Sequence, residues 1–126
     1  MKRIEELEEA AKTGMKYKDT DIAPEFGQAY FYSKSAGNRL LNFAEVIWEK
    51  DVEQIIANCR KFGITDFTIS STYSGLLTTL AEFEKHGCHM VRLTEVYANY
   101  YAFTGNFEEK PQHEVIPAIL MRLDRE

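Results

Sequence analysis

The stretch FTISSTYSGLL, residues 67–77, joins an apolar segment to a run of hydroxyl residues and one glycine. Its first residues are aromatic or β-branched, which is typical of a strand, and its last residues begin an apolar helical pattern. The stretch therefore predicts a strand that leads through a short loop into a helix. The loop has two interpretations: it binds an anion, or it only caps the helix.

An anion-binding loop directs several backbone N–H groups at one ligand, and glycines allow the chain to adopt that shape. This loop has one glycine, no lysine followed by serine or threonine, and no triple-glycine spacing. Ser71, Thr72 and Ser74 are all competent N-caps, so we expect the loop to cap the helix, with Ser74 contributing about 1 kcal/mol. The alternative is an anion-binding site at Ser71, Thr72, Ser74 and Gly75.

Two helices are predicted on either side of this strand, which covers about residues 64–70. Between Asp51 and Gly63 the apolar residues recur at i, i+3, i+4 and i+7, with Asp51 as the N-cap and Gly63 as the stop. A second helix is predicted from about Ser74 to His86.

Further strands are predicted before and after this unit. FGQAYFYSK (residues 26–34) alternates, and the turn residues SAGN then lead into RLLNF (residues 39–43), which together predict a hairpin. Residues 88–101 and 113–123 predict two long strands, joined by a loop whose Gly, Asn and Pro suit a hairpin.

The order of these elements predicts an α+β fold. We expect a two-layer α/β sandwich in which two helices cover one face of a mixed four- to five-stranded sheet. Residues 2–13 add a short amphipathic helix at the N-terminus. The predicted division is therefore an N-terminal helix and linker at 1–25 and a single α/β domain at 26–126.

Size and charge limit the function. A chain of 126 residues suits one domain, and its net charge of −5 opposes binding to nucleic acid or anionic lipid. No apolar run approaches the length of a membrane span, and acidic residues near the N-terminus do not suit a signal peptide. We expect a cytoplasmic protein in which Cys59 and Cys88 are buried free thiols.

Metal and catalytic sites are weakly indicated. His86, Cys88 and His89 resemble part of a zinc site, but His113 would lie about 40 Å from His89 along the predicted strands. We therefore expect no metal and no cofactor. Neither cysteine lies in an activating motif, so a cysteine nucleophile is also disfavoured. Acidic residues before the first of these helices suit a helix start better than a carboxylate site; they are Glu45, Glu49, Asp51 and Glu53.

Aromatic residues are more numerous than the predicted core requires, and several fall at strand ends or in the last loop. Exposed tyrosine and tryptophan are typical of protein interfaces, although a packed core and an open sheet face would explain them equally well. The residues predicted to bind a protein partner are Tyr97, Tyr100, Tyr101, Phe103 and Phe107.

Several segments carry a resemblance to a known group of proteins: AYFYSK, VIWEKDVEQII, KFGITDFTISSTYSGLL, FEKHGCHM and PAILMRL. They resemble a family of small uncharacterised proteins carried on plasmids, phages and conjugative elements of gut Gram-positive bacteria. The resemblance covers nearly the whole chain and transfers no catalytic residue. It implies an accessory role, which includes inhibition of a host defence nuclease, and the acidic charge suits a partner with a basic groove.

Two classes of function follow from the sequence. The first is a non-enzymatic protein-binding module that uses the aromatic region at 97–107 and surface carboxylates. The second is a small enzyme or nucleotide-binding domain with its site at 71–75, since ligands bind at strand ends in open α/β sheets. A homodimer formed through an open sheet edge is compatible with either class.

Overall fold

A computed structural model describes residues 22–98 and 114–124 of the chain. Over these two ranges the protein has an α+β fold with three α-helices and a four-stranded mixed sheet, which confirms the predicted fold class. The predicted helix at 2–13 lies outside the described residues. The elements in chain order are α1 (Pro24–Ala36), β1 (Asn42–Phe43), a short 3-10 helix (Glu49–Asp51), α2 (Val52–Lys61), β2 (Asp66–Ile69), α3 (Leu76–Lys85), β3 (Cys88–Tyr97) and β4 (Val115–Leu123).

The strands lie in the order β1-β2-β4-β3. β1 runs parallel to β2, and β4 runs antiparallel to both of its neighbours, β2 and β3. The two long C-terminal strands predicted from sequence are confirmed as an antiparallel pair. β3 is an edge strand, and its register with β4 shifts between Met90 and Arg92, where a bulge forms.

The hairpin predicted at the N-terminal side is wrong, because its first strand is helix α1. Pro24 occupies the start of the helix, where its missing N–H costs no hydrogen bond. The predicted turn SAGN is the C-terminal end of this helix: Gly37 adopts a left-handed conformation (φ 83°) and donates to the carbonyl of Lys34. Of the predicted second strand, only Asn42–Phe43 forms β1.

The two helices predicted around β2 are confirmed, each within a few residues. α2 buries the predicted apolar stripe, including Val52, Ile55 and Cys59, and the φ of Gly63 is positive (70°) just after the helix ends. Asp51 lies at the N-cap of α2, but its side chain makes no capping hydrogen bond.

The hydrophobic core draws residues from all three helices and all four strands. Phe67 on β2 lies at its centre, with ring centroids 5.2 Å from Phe43 and 5.6 Å from Phe83. Because strand side chains alternate, Phe67 and Ile69 point into this core, whereas Asp66 and Thr68 point to the opposite face of the sheet. That opposite face forms the groove described below, whereas the face of Phe67 and Ile69 continues into an exposed apolar surface.

A buried polar network fixes β1 between α1 and β2. The backbone N–H of Asn42 donates to the hydroxyl of Ser33 on α1 (2.8 Å), and the side-chain oxygen of Asn42 accepts from Thr68 on β2 (2.7 Å). The side-chain nitrogen of Asn42 donates to Ser70 (2.9 Å). These bonds set the position of the segment 37–41, which precedes β1.

Candidate functional site

The hairpin of β3 and β4 extends beyond the rest of the sheet. The pairing of β2 with β4 ends at Ile69 and Ile119, whereas β3 and β4 remain paired as far as Tyr97 and Val115. The outer part of this hairpin, residues 94–97 and 115–118, therefore extends beyond β2.

This outer part is attached to the opposite edge of the sheet by Asn38, which precedes β1. The side-chain oxygen of Asn38 accepts from the backbone N–H of Tyr97 (2.9 Å), and its side-chain nitrogen donates to the carbonyl of Tyr97 (3.0 Å). Since β1 and β3 are the two edges of the sheet, a contact between them requires the sheet to curl. The hairpin consequently has a convex face and a concave face.

The convex face continues the face that packs against the helices. Along β4, the side chains on this face become more exposed from Leu123 toward Val115. Leu123 and Met121 are buried and Ile119 is half-buried, but Pro117 and Val115 are exposed. The helices cover one end of this face and leave the other end open.

Apolar side chains occupy the open part of the convex face. Met90 pairs with Met121 and Leu93 pairs with Ile119, which places both side chains on this face together with Val115. Their exposed fractions are 58% for Met90, 71% for Leu93 and 50% for Val115. We call these three residues the outer hairpin surface.

The concave face forms an open groove with a volume of about 670 Å³. Its floor carries Thr68 of β2, Thr94 and Val96 of β3, and Leu120 of β4. One wall is the segment 37–40. Five charged residues line it: Arg39, Asp66, Arg92, Glu95 and Arg122. The groove and the outer hairpin surface thus lie on two sides of one hairpin, and they meet at its end, where Tyr97 and Val115 also line the groove.

Asp66 and Arg122 form a bidentate ion pair across β2 and β4 in this groove. The Nε and Nη2 atoms of Arg122 each donate to one carboxylate oxygen of Asp66, both at 3.0 Å. The hydrogen bonds and the charge of Asp66 raise the pKa of Arg122. The pair holds the guanidinium plane of Arg122 fixed on the floor of the groove.

The loop at 71–75 is built differently from the capped helix start that the sequence predicts. Gly75 is the N-cap of α3 and no side chain makes a capping hydrogen bond, so the predicted capping by Ser74 is wrong. The loop is held by Tyr73, whose hydroxyl donates to the carbonyl of Ile47 (3.1 Å) and lies 2.9 Å from the hydroxyl of Thr79. Thr72 and Ser74 are exposed at the surface.

Ser71, in the same loop, is buried, and its hydroxyl oxygen has no hydrogen-bond partner within the described part of the chain. A buried hydroxyl without a partner costs free energy. Together with Thr72, Ser74 and Gly75 it forms the alternative anion-binding site, which stays a prediction.

The buried carboxyl group of Glu25 has no counterpart in the sequence-based predictions. Only 6% of Glu25 is exposed; its Oε2 accepts from the backbone N–H of Trp48 (3.1 Å), and its Oε1 has no hydrogen-bond partner in the ranges described. Burial, and secondarily the neighbouring Asp51, raises the pKa of Glu25 above its usual value of 4.5. The helical pattern of α1 would have shown that Glu25 faces inward.

The histidines predicted near α3 each lie beside carboxylates. His89 bridges Glu84 (Nδ1 to Oε2, 2.9 Å) and Asp124 (Nε2 to Oδ2, 2.7 Å), and these bonds raise the pKa of His89. His86 lies 3.4 Å from Glu82. No group of three or more potential ligands is arranged to hold a metal ion within residues 22–98 and 114–124; His113 lies outside them.

The two cysteines are buried free thiols, as predicted. Burial raises the pKa of Cys59 and raises the pKa of Cys88 to about 12. Neither thiol is therefore ionised near neutral pH, which removes the nucleophilic form.

Of the five aromatic residues predicted to bind a partner, only Tyr97 is described. It is half-buried at the end of β3, on the same face as Leu93 by strand alternation. Tyr100, Tyr101, Phe103 and Phe107 lie outside the described residues. Leu93 was not among the predicted binding residues, although the alternation of the predicted strand at 88–101 places it on the opposite face from Arg92.

Membrane insertion gains no support from the helices described, because none of α1 to α3 is both long enough and apolar enough to cross a bilayer.

Comparison with protein families matches residues 25–123 to a domain of unknown function, DUF7698. That range covers the helices and the whole sheet, so the chain belongs to the DUF7698 family. No curated protein and no solved structure matches the chain at a significant level.

Proposed function

We propose that this chain is a non-enzymatic protein-binding module that contacts its partner through the outer hairpin surface. The observation that carries the proposal is the exposure of Met90, Leu93 and Val115 together on one face of an edge hairpin. Clustered apolar side chains on the surface of a folded domain mark interaction sites, whereas scattered ones do not.

The surroundings of this surface suit a protein partner. Tyr97 lies on the same face as Leu93, and further aromatic residues follow it in the sequence at 100–107. Glu95 is exposed on the same face, between Leu93 and the pair of Tyr97 and Val115, and Glu114 is exposed next to Val115. With a net charge of −5, the chain favours a partner whose contact region is basic, because complementary charge accelerates association.

Because the sequence resembles proteins of mobile elements, we propose that the chain binds its partner as an accessory protein of such an element. A two-layer α/β sandwich of this size, acting in the cytoplasm, suits an accessory protein that inhibits a host defence system. A nuclease with a basic nucleic-acid groove is the partner that the charge favours.

Affinity capture tests the proposal. The tagged full-length chain is incubated with lysate from a Gram-positive gut bacterium, and bound proteins are identified by mass spectrometry. We expect one dominant partner at a stoichiometric ratio. A doubled mass of the purified chain in solution would instead assign the surface to a second copy of the chain.

The second candidate is a nucleotide- or anion-binding function at the loop 71–75, and the unpartnered hydroxyl of Ser71 favours it. Thermal denaturation with a panel of nucleotides distinguishes the two functions. A rise in melting temperature that is lost in Ser71→Ala, together with an empty capture experiment, would favour this second function over the first.

A further inference from the structure

The groove on the concave face has a charge opposite to that of the chain. The chain carries −5 overall, yet three arginines line the groove: Arg39, Arg92 and Arg122. Asp66 balances one of them through its ion pair with Arg122. Glu95 also lines the groove, so three arginines against two carboxylates leave a local charge of about +1.

Two of the three arginines, Arg92 and Arg122, are positioned by strands. Arg92 follows the bulge of β3 and pairs with Leu120, while Arg122 lies one pleat further along β4. Arg39 extends from the segment that Asn38 attaches to Tyr97. Guanidinium groups bind phosphate and carboxylate through paired N–H donors, and sites on strands are held more precisely than sites on loops.

The floor between these arginines is apolar. Leu120 is buried and Val96 is half-buried, and the hydroxyl-bearing Thr94 lies between Arg92 and Val96 on the same face. A volume of about 670 Å³ falls within the range of small-ligand sites in proteins. The groove therefore offers a contact for an apolar body as well as for an anionic group.

We propose that this groove binds a small organic anion. Arg92 and Arg39 bind its phosphate or carboxylate group, and its apolar body lies against Val96 and Leu120. The site lies on the opposite side of the hairpin from the outer hairpin surface, so it goes beyond the proposed partner binding and does not depend on it.

Nuclear magnetic resonance titration of the ¹⁵N-labelled full-length chain tests this proposal at constant ionic strength. Adenosine monophosphate and benzoate serve as the phosphate and carboxylate probes, and adenosine and benzyl alcohol as their neutral controls. We expect saturable shifts of the amides of Thr94, Val96 and Leu120 with at least one anion and with neither neutral control. Tighter binding of adenosine monophosphate would identify phosphate as the preferred group, and tighter binding of benzoate would identify carboxylate.

Variants locate the binding. Arg92→Gln and Arg39→Gln should each weaken binding at least about tenfold, because each removes a charge-assisted contact. Lys61→Gln, which removes an exposed charge outside the groove, should bind as the unmodified chain does. Unchanged affinity in both arginine variants, equal binding of the neutral controls, or no saturable shift with either anion would overturn the proposal.

Discussion

The side-chain amide of Asn38 pairs with both backbone groups of Tyr97, accepting from its N–H at 2.9 Å and donating to its carbonyl at 3.0 Å. The two residues are 59 positions apart and belong to opposite edges of the sheet. Their contact attaches the free end of the hairpin to the rest of the molecule. The groove lies on one face of this hairpin, where β2 and the segment 37–40 also line it, and the outer hairpin surface lies on the other face.

Replacing Asn38 by alanine should release this end of the hairpin. Two part-buried hydrogen bonds are lost, which should lower the local free energy of opening by about 1–2 kcal/mol and speed exchange of the Tyr97 amide by about 5- to 30-fold. Hydrogen exchange followed by nuclear magnetic resonance measures this. The amide of Thr68, which donates to Leu41 within the sheet, is the internal control. An unchanged exchange rate at Tyr97 would show that Asn38 does not hold the hairpin.

Replacing Tyr73 in the loop at 71–75 should destabilise the fold more than replacing Ser74. Tyr73→Phe removes the hydroxyl that bonds to Ile47 and Thr79, and we expect it to lower the free energy of unfolding by about 1 kcal/mol. Ser74→Ala removes an exposed side chain that caps nothing, and its effect should stay within about 0.5 kcal/mol. Urea denaturation of both variants compares them directly, and a larger loss in Ser74→Ala would restore the capping interpretation.

Glu25 should make the fold less stable as pH rises. Its pKa is raised in the folded state, chiefly by burial, so the folded protein holds a proton that the unfolded chain releases. Its contribution to stability is full below about pH 4.5 and is lost as pH rises through the folded-state pKa. Glu25→Gln, which mimics the protonated form, should therefore raise the melting temperature at pH 7 more than at pH 4. Glu49→Gln, an exposed neighbour, is the matched control; an equal response of the two variants would contradict the prediction.

His89 should be charged to a higher pH than a free histidine. Hydrogen bonds to Glu84 and Asp124 raise its pKa above 6.5, so its stabilising contribution is present below that pH and is lost as pH rises through the folded-state pKa. Nuclear magnetic resonance titration of the imidazole reports this pKa. In Glu84→Gln the pKa of His89 should fall toward its ordinary value, whereas Lys85→Gln, next to it in the chain, should leave it high. A pKa of His89 that is unaffected by Glu84→Gln would contradict the assigned cause.

Periodicity alone predicted α2, β2, α3 and the two long C-terminal strands, because each of these elements has a clear apolar stripe or alternation. Periodicity failed for α1, because its buried positions include the polar Ser33 and the small Ala36, which do not contribute to an apolar stripe in the sequence. The buried set Phe26, Ala29, Tyr30, Ser33 and Ala36 follows helical spacing only when small and polar residues are counted.

The candidate site was less predictable than the fold. Strand alternation separates Leu93 from Arg92, but it does not show which face the helices cover or where that cover ends. The contact between Asn38 and Tyr97 has no local signal, since it depends on the curl of the whole sheet. The groove and the outer hairpin surface are therefore products of tertiary structure.

Comparison of two leucine variants in the capture experiment tests the central claim most directly. Leu93→Asp places a charge on the outer hairpin surface, and Leu77→Asp makes the same change at a leucine on α3 that is 81% exposed. Both variants should keep the melting temperature of the unmodified chain, because neither side chain is buried. The account predicts that the partner retained by the unmodified chain and by Leu77→Asp is lost from Leu93→Asp. Equal retention of the partner by Leu93→Asp would contradict the claim that this surface binds it.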